Sequence, residues 1–137
     1  MGMQILTCAG CGGVLTHPMS RLDSLPVATQ IDEVSYAPTL DPGTWAIDPE
    51  PRWRTSEGAP AGTIGCLVVN PADALDLRPH PALSRNSGCC GHDGCDGPNR
   101  LCPGCGAEVA TLSDDCWTYV EVRFEPGAVR VISHSLD

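Results

Sequence analysis

Two short cysteine motifs, CAGCGG (8–13) and CPGCGA (102–107), share the form C-x-G-C-G-small. Two residues between cysteines let both sulfurs approach one ion at about 2.3 Å, and the glycine after the second cysteine supplies the positive φ that closes the turn. Two such turns provide four thiolates, a tetrahedral donor set that prefers zinc. The sequence therefore predicts one structural zinc ion held by Cys8, Cys11, Cys102 and Cys105.

Two alternatives for these four cysteines stay open. They can be buried or paired in disulfides, or one motif can be a redox pair of the thioredoxin kind. The redox interpretation is disfavoured because neither motif precedes a convincing long helix.

Five further cysteines, four of them clustered around the segment 88–106, offer a second site. Cys90 and His92 share one face of an extended chain, and Cys95 and Cys116 would complete a set of three thiolates and one imidazole. Adjacent cysteines point to opposite faces, so Cys89 is left out of this set. The alternatives are that Cys66, Cys89 and Cys116 are small core residues, or that one thiol is reactive.

Three tryptophans, Trp45, Trp53 and Trp117, are the main large aromatic side chains of the chain, which has one Phe and two Tyr. Our preferred interpretation is that they are core and rim residues, and the alternative is that they contact a ligand.

Short strands separated by turns are the elements that must position these residues. We predict a strand, a tight turn and a second strand within 3–16, strands at 44–47, 63–70 and 107–112, and a hairpin formed by 117–124 and 129–133. In the segment 117–124, Val120, Val122 and Phe124 alternate with polar residues. A turn or two of helix is expected at 70–77, with Asn70 as its N-cap and Pro71 in its first position.

Composition gives the fold class and excludes some functions. The chain has 137 residues, 28 of them Gly or Pro (15 and 13), which indicates a single domain, residues 1–137, that is mainly β with few short helices. The net charge is −9 and all eight basic residues are Arg, so nucleic acid and anionic membranes are poor partners. No signal peptide or membrane span is visible, and nine cysteines, an odd number, fit a reducing cytoplasm.

Two C-x-x-C knuckles that close an insert of some ninety residues resemble the layout of the β-tent zinc proteins, which include Yippee-type proteins, the thalidomide-binding domain of cereblon and the B-type methionine sulfoxide reductases. The resemblance implies a zinc-stabilised β-tent or an extended zinc-ribbon-like sheet. The reductase cysteine near the C-terminus is absent, so that activity does not carry over. The segment from Gly88 to Trp117 is also similar to a recurrent segment of small, uncharacterised bacterial zinc-ribbon-like proteins.

These observations favour a non-catalytic module that binds a small molecule or a protein through a cleft beside the tryptophans or the loop 88–99. The alternative is an enzyme that uses a thiol or a second metal in the Cys89–Cys95 cluster.

Overall fold

The computed structural model of the protein describes residues 2–54, 57 and 60–134. The described chain is mainly β, and its only helices are two short 3₁₀ turns, Pro71–Asp73 and Leu83–Asn86. The eleven strands are β1 (Met3–Cys8), β2 (Ser20–Arg21), β3 (Thr44–Ile47), β4 (Trp53–Arg54), β5 (Pro60–Ala61), β6 (Leu67–Val69), β7 (Arg78–Pro79), β8 (Arg100–Leu101), β9 (Glu108–Ser113), β10 (Glu121–Phe124) and β11 (Val129–His134).

The largest sheet has seven strands in the order β2-β3-β6-β10-β9-β8-β7, and β1 pairs with β11 in a separate two-stranded sheet. A further small sheet pairs β4 with β5. All pairs are antiparallel except β2 with β3. Three of these pairs, β1 with β11, β3 with β6 and β6 with β10, join strands that are not consecutive in the chain.

The predicted C-terminal hairpin is wrong. β10 lies between β6 and β9 in the seven-stranded sheet, whereas β11 pairs with β1 along its whole length, from Met3 opposite His134 to Cys8 opposite Val129. The turn predicted between these strands forms, because Ala128 N–H donates to the carbonyl of Glu125 at 3.0 Å. It carries the chain from one sheet to the other instead of folding it back.

Strand alternation places two hydrophobic clusters on opposite faces of the seven-stranded sheet. Trp45, Val69 and Phe124 belong to the main core, which also contains Leu6 of β1 and Val129 of β11. The main core therefore joins the two sheets. The intervening positions of β3 and β6 face a smaller cluster of Leu40, Ala46 and Val68 on the other side.

The short helix predicted after β6 is confirmed in a reduced form. Asn70 caps it, because its side-chain oxygen accepts a hydrogen bond from Ala72 N–H at 2.8 Å, and Pro71 is its first residue. The helix ends after one 3₁₀ turn at Asp73. Asn70 also donates to the carbonyl of Leu40 at 2.8 Å, which fixes the segment to the second cluster.

Candidate metal centre and cavity

The two cysteine knuckles lie at corresponding positions at the ends of strands. Cys8 is the last residue of β1, and Cys102 directly follows β8. The turn between β10 and β11 links them: Ala9 N–H donates to the carbonyl of Ala128 at 2.9 Å, and Glu125 N–H donates to the carbonyl of Val109 at 2.9 Å. Backbone pairing thus brings the two knuckles together from opposite parts of the chain.

The knuckles have the same backbone hydrogen bonds. In the first, Cys8 N–H donates to Gly13 and Gly12 N–H donates to Cys8, both at 2.8 Å. In the second, Cys102 N–H donates to the carbonyl at position 107 at 2.8 Å and Gly106 N–H donates to Cys102 at 2.9 Å. Gly12 and Gly106 have φ of 78° and 79°, a conformation that glycine adopts without steric cost. The shared sequence form therefore produces one shared local structure.

The four predicted ligands converge. Their sulfur atoms all lie within 4.8 Å of one another, and the pairs Cys8–Cys105 and Cys11–Cys102 are each 3.6 Å apart. Four sulfurs at about 2.3 Å from a central zinc lie roughly 3.8 Å from one another. The observed arrangement needs only small adjustments to reach that tetrahedron, so the group fits a metal ion of this size.

Backbone amides around the knuckles stabilise thiolates. Burial acts to raise the pKa of the Cys102 thiol, but the N–H groups of Cys105 and Gly104 lower it to about 7. Gly13 N–H lies 3.4 Å from the Cys11 sulfur and acts to lower the pKa of that thiol, whereas the neighbouring thiols, led by Cys102, raise it to about 11. A divalent cation bound by these thiols would displace their protons.

The remaining cysteines are arranged differently from the expected second set. The sulfurs of Cys89, Cys90 and Cys116 lie within 4.8 Å of one another, but those of His92 and Cys95 are not in this group. His92 Nδ1 lies 3.2 Å from an oxygen of Asp114, and the sulfur of Cys95 accepts a hydrogen bond from Arg52 at 3.9 Å. Residues 89–91 form a bend and not an extended strand, so the alternation of side chains expected there does not apply.

The core-residue interpretation holds for Cys66, which is buried, but Cys89 is exposed and Cys116 is half-buried. Burial, followed by the Cys90 thiol, raises the pKa of Cys116 to about 11, and hydrogen bonding with the Cys90 thiol raises that of Cys89. Activated nucleophilic cysteines have lowered pKa values, so the direction of both shifts does not favour either thiol in that role.

The tryptophans are spread over the molecule. Trp45 lies in the main core, where its indole N–H donates to the Gln4 side chain at 3.0 Å, so it is not available to a ligand. Trp117 is 68% exposed and has φ of 69°, which is uncommon for a large side chain. The side chain of Trp53 lies outside the part of the chain that the structure describes.

A cavity of about 560 Å³ is the feature that sequence reasoning missed. Its wall contains Glu121 and Arg123 of β10 and Asp48, which follows β3. Arg123 donates to both carboxylates, and its side chain is 5% exposed. Thr39 donates its hydroxyl to the other oxygen of Glu121 at 2.7 Å.

The alternation in β10 predicts one polar face that contains Glu121 and Arg123. A strand with one polar face usually presents that face to solvent, so a cavity lined by these side chains was not expected. Here Glu121 and Arg123 are buried instead. The segment 23–28 also lines the cavity, through residues that include Leu25, Pro26 and Val27.

No helix in the described ranges is long and apolar enough to span a bilayer. Comparison of the chain with protein-family models, with curated proteins and with solved structures finds no match.

Proposed function

We propose that the protein is a zinc-stabilised binding module whose ligand is a small molecule held in the 560 Å³ cavity. The observation that carries this proposal is the buried Arg123–Glu121–Asp48 network in the cavity wall. Buried ionic groups are costly unless they are fully paired, and a mainly apolar wall facing them is typical of ligand pockets.

The zinc in this proposal is structural. Four protein thiolates leave no open coordination position, and catalytic zinc sites keep one. The ion would connect the end of β1 with the residues between β8 and β9, so it closes a loop of some ninety residues between Cys11 and Cys102. Closing so long a loop stabilises the folded chain by several kcal/mol, on the order of the effect of a disulfide over the same length.

The knuckle arrangement is compatible with a zinc-ribbon-like domain. It supports assignment to the β-tent layout, in which a long β-rich insert lies between two knuckles. Thiolate ligands and free cysteines also support a reducing compartment, and we assign the protein to the cytoplasm on that ground.

The cavity has the size and the composition of a small-molecule site. Pockets for small ligands usually measure about 300–1,000 Å³ and combine apolar walls with a few placed polar groups. Leu25, Val27 and Ile47 supply apolar surface, and Thr39 and the ionic network supply the polar groups. The cavity lining holds three basic side chains and three acidic ones, which are Arg21, Arg52, Arg123, Asp23, Asp48 and Glu121. Because these charges balance, the site suits a neutral or zwitterionic molecule with an apolar body.

A fragment screen by protein-observed NMR tests the proposal. Neutral and zwitterionic fragments should shift amide signals of residues 23–28, 39, 48 and 121–123, and the same fragments should bind Leu25→Ser protein at least several-fold more weakly. Val131→Ser, an exposed change on β11, is the matched control and should leave binding unchanged. Shifts that map elsewhere, or equal binding by the two variants, would contradict the assignment.

A protein or peptide partner is the second candidate, and the exposed aromatic surface formed by Tyr36, Trp117 and Tyr119 favours it. The two tyrosine rings contact each other edge to face at 5.0 Å, and Trp117 N–H donates to the carbonyl of Val34 at 2.7 Å. Exposed aromatic residues on a fixed backbone are typical binding anchors. In the same screen, fragments that shift only these residues would favour this candidate over the cavity.

A further inference from the structure

Three thiols outside the four-cysteine group converge at one exposed place. Cys89 and Cys90 belong to the bend that precedes the second knuckle, and Cys116 follows β9. The sulfur of Cys90 lies 3.9 Å from that of Cys89 and 3.9 Å from that of Cys116, and all three sulfurs lie within 4.8 Å of one another. Two segments separated by about 25 residues are therefore folded so that their thiols meet.

The Asp115 side chain holds these two segments together. One carboxylate oxygen accepts hydrogen bonds from the N–H groups of Cys90 at 2.7 Å, Gly91 at 3.1 Å and Cys116 at 2.9 Å. The other oxygen accepts a hydrogen bond from Cys89 N–H at 2.9 Å. All three cysteines are thus fixed through their own backbone to one buried carboxylate.

The bend that carries Cys89 and Cys90 is tight. A Cβ at Gly88 would lie 1.7 Å from the carbonyl oxygen of Gly91, and a Cβ at Gly91 would lie 2.6 Å from a carboxylate oxygen of Asp114. Glycine at both positions allows the close approach. The bend is also tied to Asp114, whose N–H donates to the His92 carbonyl at 2.9 Å while its side chain accepts from His92 N–H at 2.6 Å. The thiols are therefore positioned by the fold before any ion binds.

We propose that Cys89, Cys90 and Cys116 bind a second zinc ion through three thiolates, with the fourth coordination position open to water or an external ligand. The two sulfur separations of 3.9 Å match the edge of roughly 3.8 Å that a tetrahedral zinc–thiolate site requires. Thiolate donors without oxygen ligands select zinc over magnesium or calcium. On binding, each thiol releases its proton to solvent and forms one Zn–S bond, and no oxidation or reduction takes place.

Neither His92 nor Cys95 supplies the fourth ligand in this arrangement. His92 has both ring nitrogens near other groups, with Nδ1 3.2 Å from Asp114 and Nε2 3.3 Å from Arg100. Cys95 accepts a hydrogen bond from the Arg52 guanidinium. Among the described residues no fourth side chain joins the three thiols, so the fourth position is left to water or an external ligand, unlike in the closed four-cysteine centre.

The second site should release its zinc more readily than the first. Cys89 and Cys90 are exposed and Cys116 is half-buried, whereas the four-cysteine centre has two fully buried ligands, Cys8 and Cys102. The second site has one protein ligand fewer and is more exposed, and both differences favour exchange of its zinc ion with a chelator. A chelator added in steps should therefore remove one zinc ion well before the other.

Native mass spectrometry of the full chain in a thiol-free reductant with added Zn²⁺ tests the proposal. Wild-type protein should bind two zinc ions. Cys90→Ser and Cys116→Ser proteins should each keep the first ion and should bind the second at least ten-fold more weakly than wild-type protein does. Cys95→Ser is the matched control, an exposed thiol of the same loop outside the cluster, and should still bind two.

A second measurement separates loss of the site from loss of the fold. Cys90→Ser and Cys116→Ser proteins should keep the first zinc ion and a single cooperative unfolding transition. Co²⁺ added to zinc-loaded wild-type protein after stepwise chelation should give the intense visible absorption of a tetrahedral thiolate site, and it should not do so in either variant. One zinc ion in reduced wild-type protein at saturating Zn²⁺, or loss of the second ion on Cys95→Ser, would overturn the proposal.

Discussion

Replacement of Arg123 by methionine should cost much of the stability of the protein. The guanidinium donates to Glu121 and to Asp48, and the three side chains are 5%, 1% and 14% exposed respectively. Methionine can occupy the volume of the arginine stem but leaves two nearly buried carboxylates without a cation. Breaking a buried pair from one side costs about 3–5 kcal/mol, a large part of the roughly 5–15 kcal/mol that stabilises a domain.

Urea unfolding of zinc-loaded protein, followed by circular dichroism, measures this cost. The urea concentration at the midpoint of unfolding should fall, while the slope of the unfolding free energy against urea concentration stays constant. The melting temperature should drop by about 10–20 °C. Adding Glu121→Gln to Arg123→Met removes one of the uncompensated charges and should recover about 1 kcal/mol or more. This recovery distinguishes a charge effect from a packing defect.

Arg130→Met is the control, because Arg130 is exposed on β11 and should change the unfolding free energy by no more than about 0.5 kcal/mol. A cost below about 1 kcal/mol for Arg123→Met would refute the reasoning, since pairs that contribute so little are typical of solvent-exposed sites. A protein with both Arg123→Met and Glu121→Gln that is less stable than the Arg123→Met protein would also refute the reasoning.

Three further predictions concern the metal centre, the aromatic surface and a buried thiol. Cys102→Ser should abolish cooperative unfolding and zinc retention, whereas Cys95→Ser should leave both unchanged; a folded Cys102→Ser protein without zinc would contradict the structural role of the ion. Trp117→Asn should leave the unfolding free energy equal or up to about 1 kcal/mol higher, because Asn tolerates positive φ better; a loss above 1 kcal/mol would show that the indole stabilises the fold. Burial and then Glu125 raise the pKa of Cys66 to about 11, so the unfolded state ionises first and wild-type stability should decline between about pH 9 and 11. That decline should be smaller in Cys66→Ala protein, as measured by urea unfolding across this range, and parallel curves for the two proteins would contradict it.

The two cysteine knuckles were predictable because the information for each turn is local. The form C-x-G-C-G fixes the turn, the direction of the sulfurs and the positive φ at Gly12 and Gly106, and the structure has all three. The strand at 44–47 and the cap at Asn70 were predictable for the same reason, since each depends on a few consecutive residues.

Strand pairing was not predictable from alternation. The segments 121–124 and 129–134 have the pattern of a hairpin, yet 129–134 pairs with β1, and 121–124 lies between β9 and the more distant β6. The pattern specifies which side of a strand is apolar and not which strand lies beside it. The contact of Arg123 with Asp48, 75 residues away in sequence, is not specified by the pattern either.

The second thiol cluster shows the limit of spacing arguments. Cys89 and Cys90 would diverge on an extended strand, but a bend held by Asp115 turns both sulfurs to one side. Asp115 lies next to Cys116 in sequence. This position does not predict that its carboxylate accepts hydrogen bonds from four backbone N–H groups.

X-ray absorption at the zinc edge tests the central claim most directly. The sample is Cys90→Ser protein purified without chelator, so that a single zinc ion is present. The account predicts one zinc per chain with four sulfur neighbours at about 2.3 Å and no nitrogen or oxygen in the first shell. Protein without zinc, or a first shell that contains nitrogen or oxygen, would contradict it.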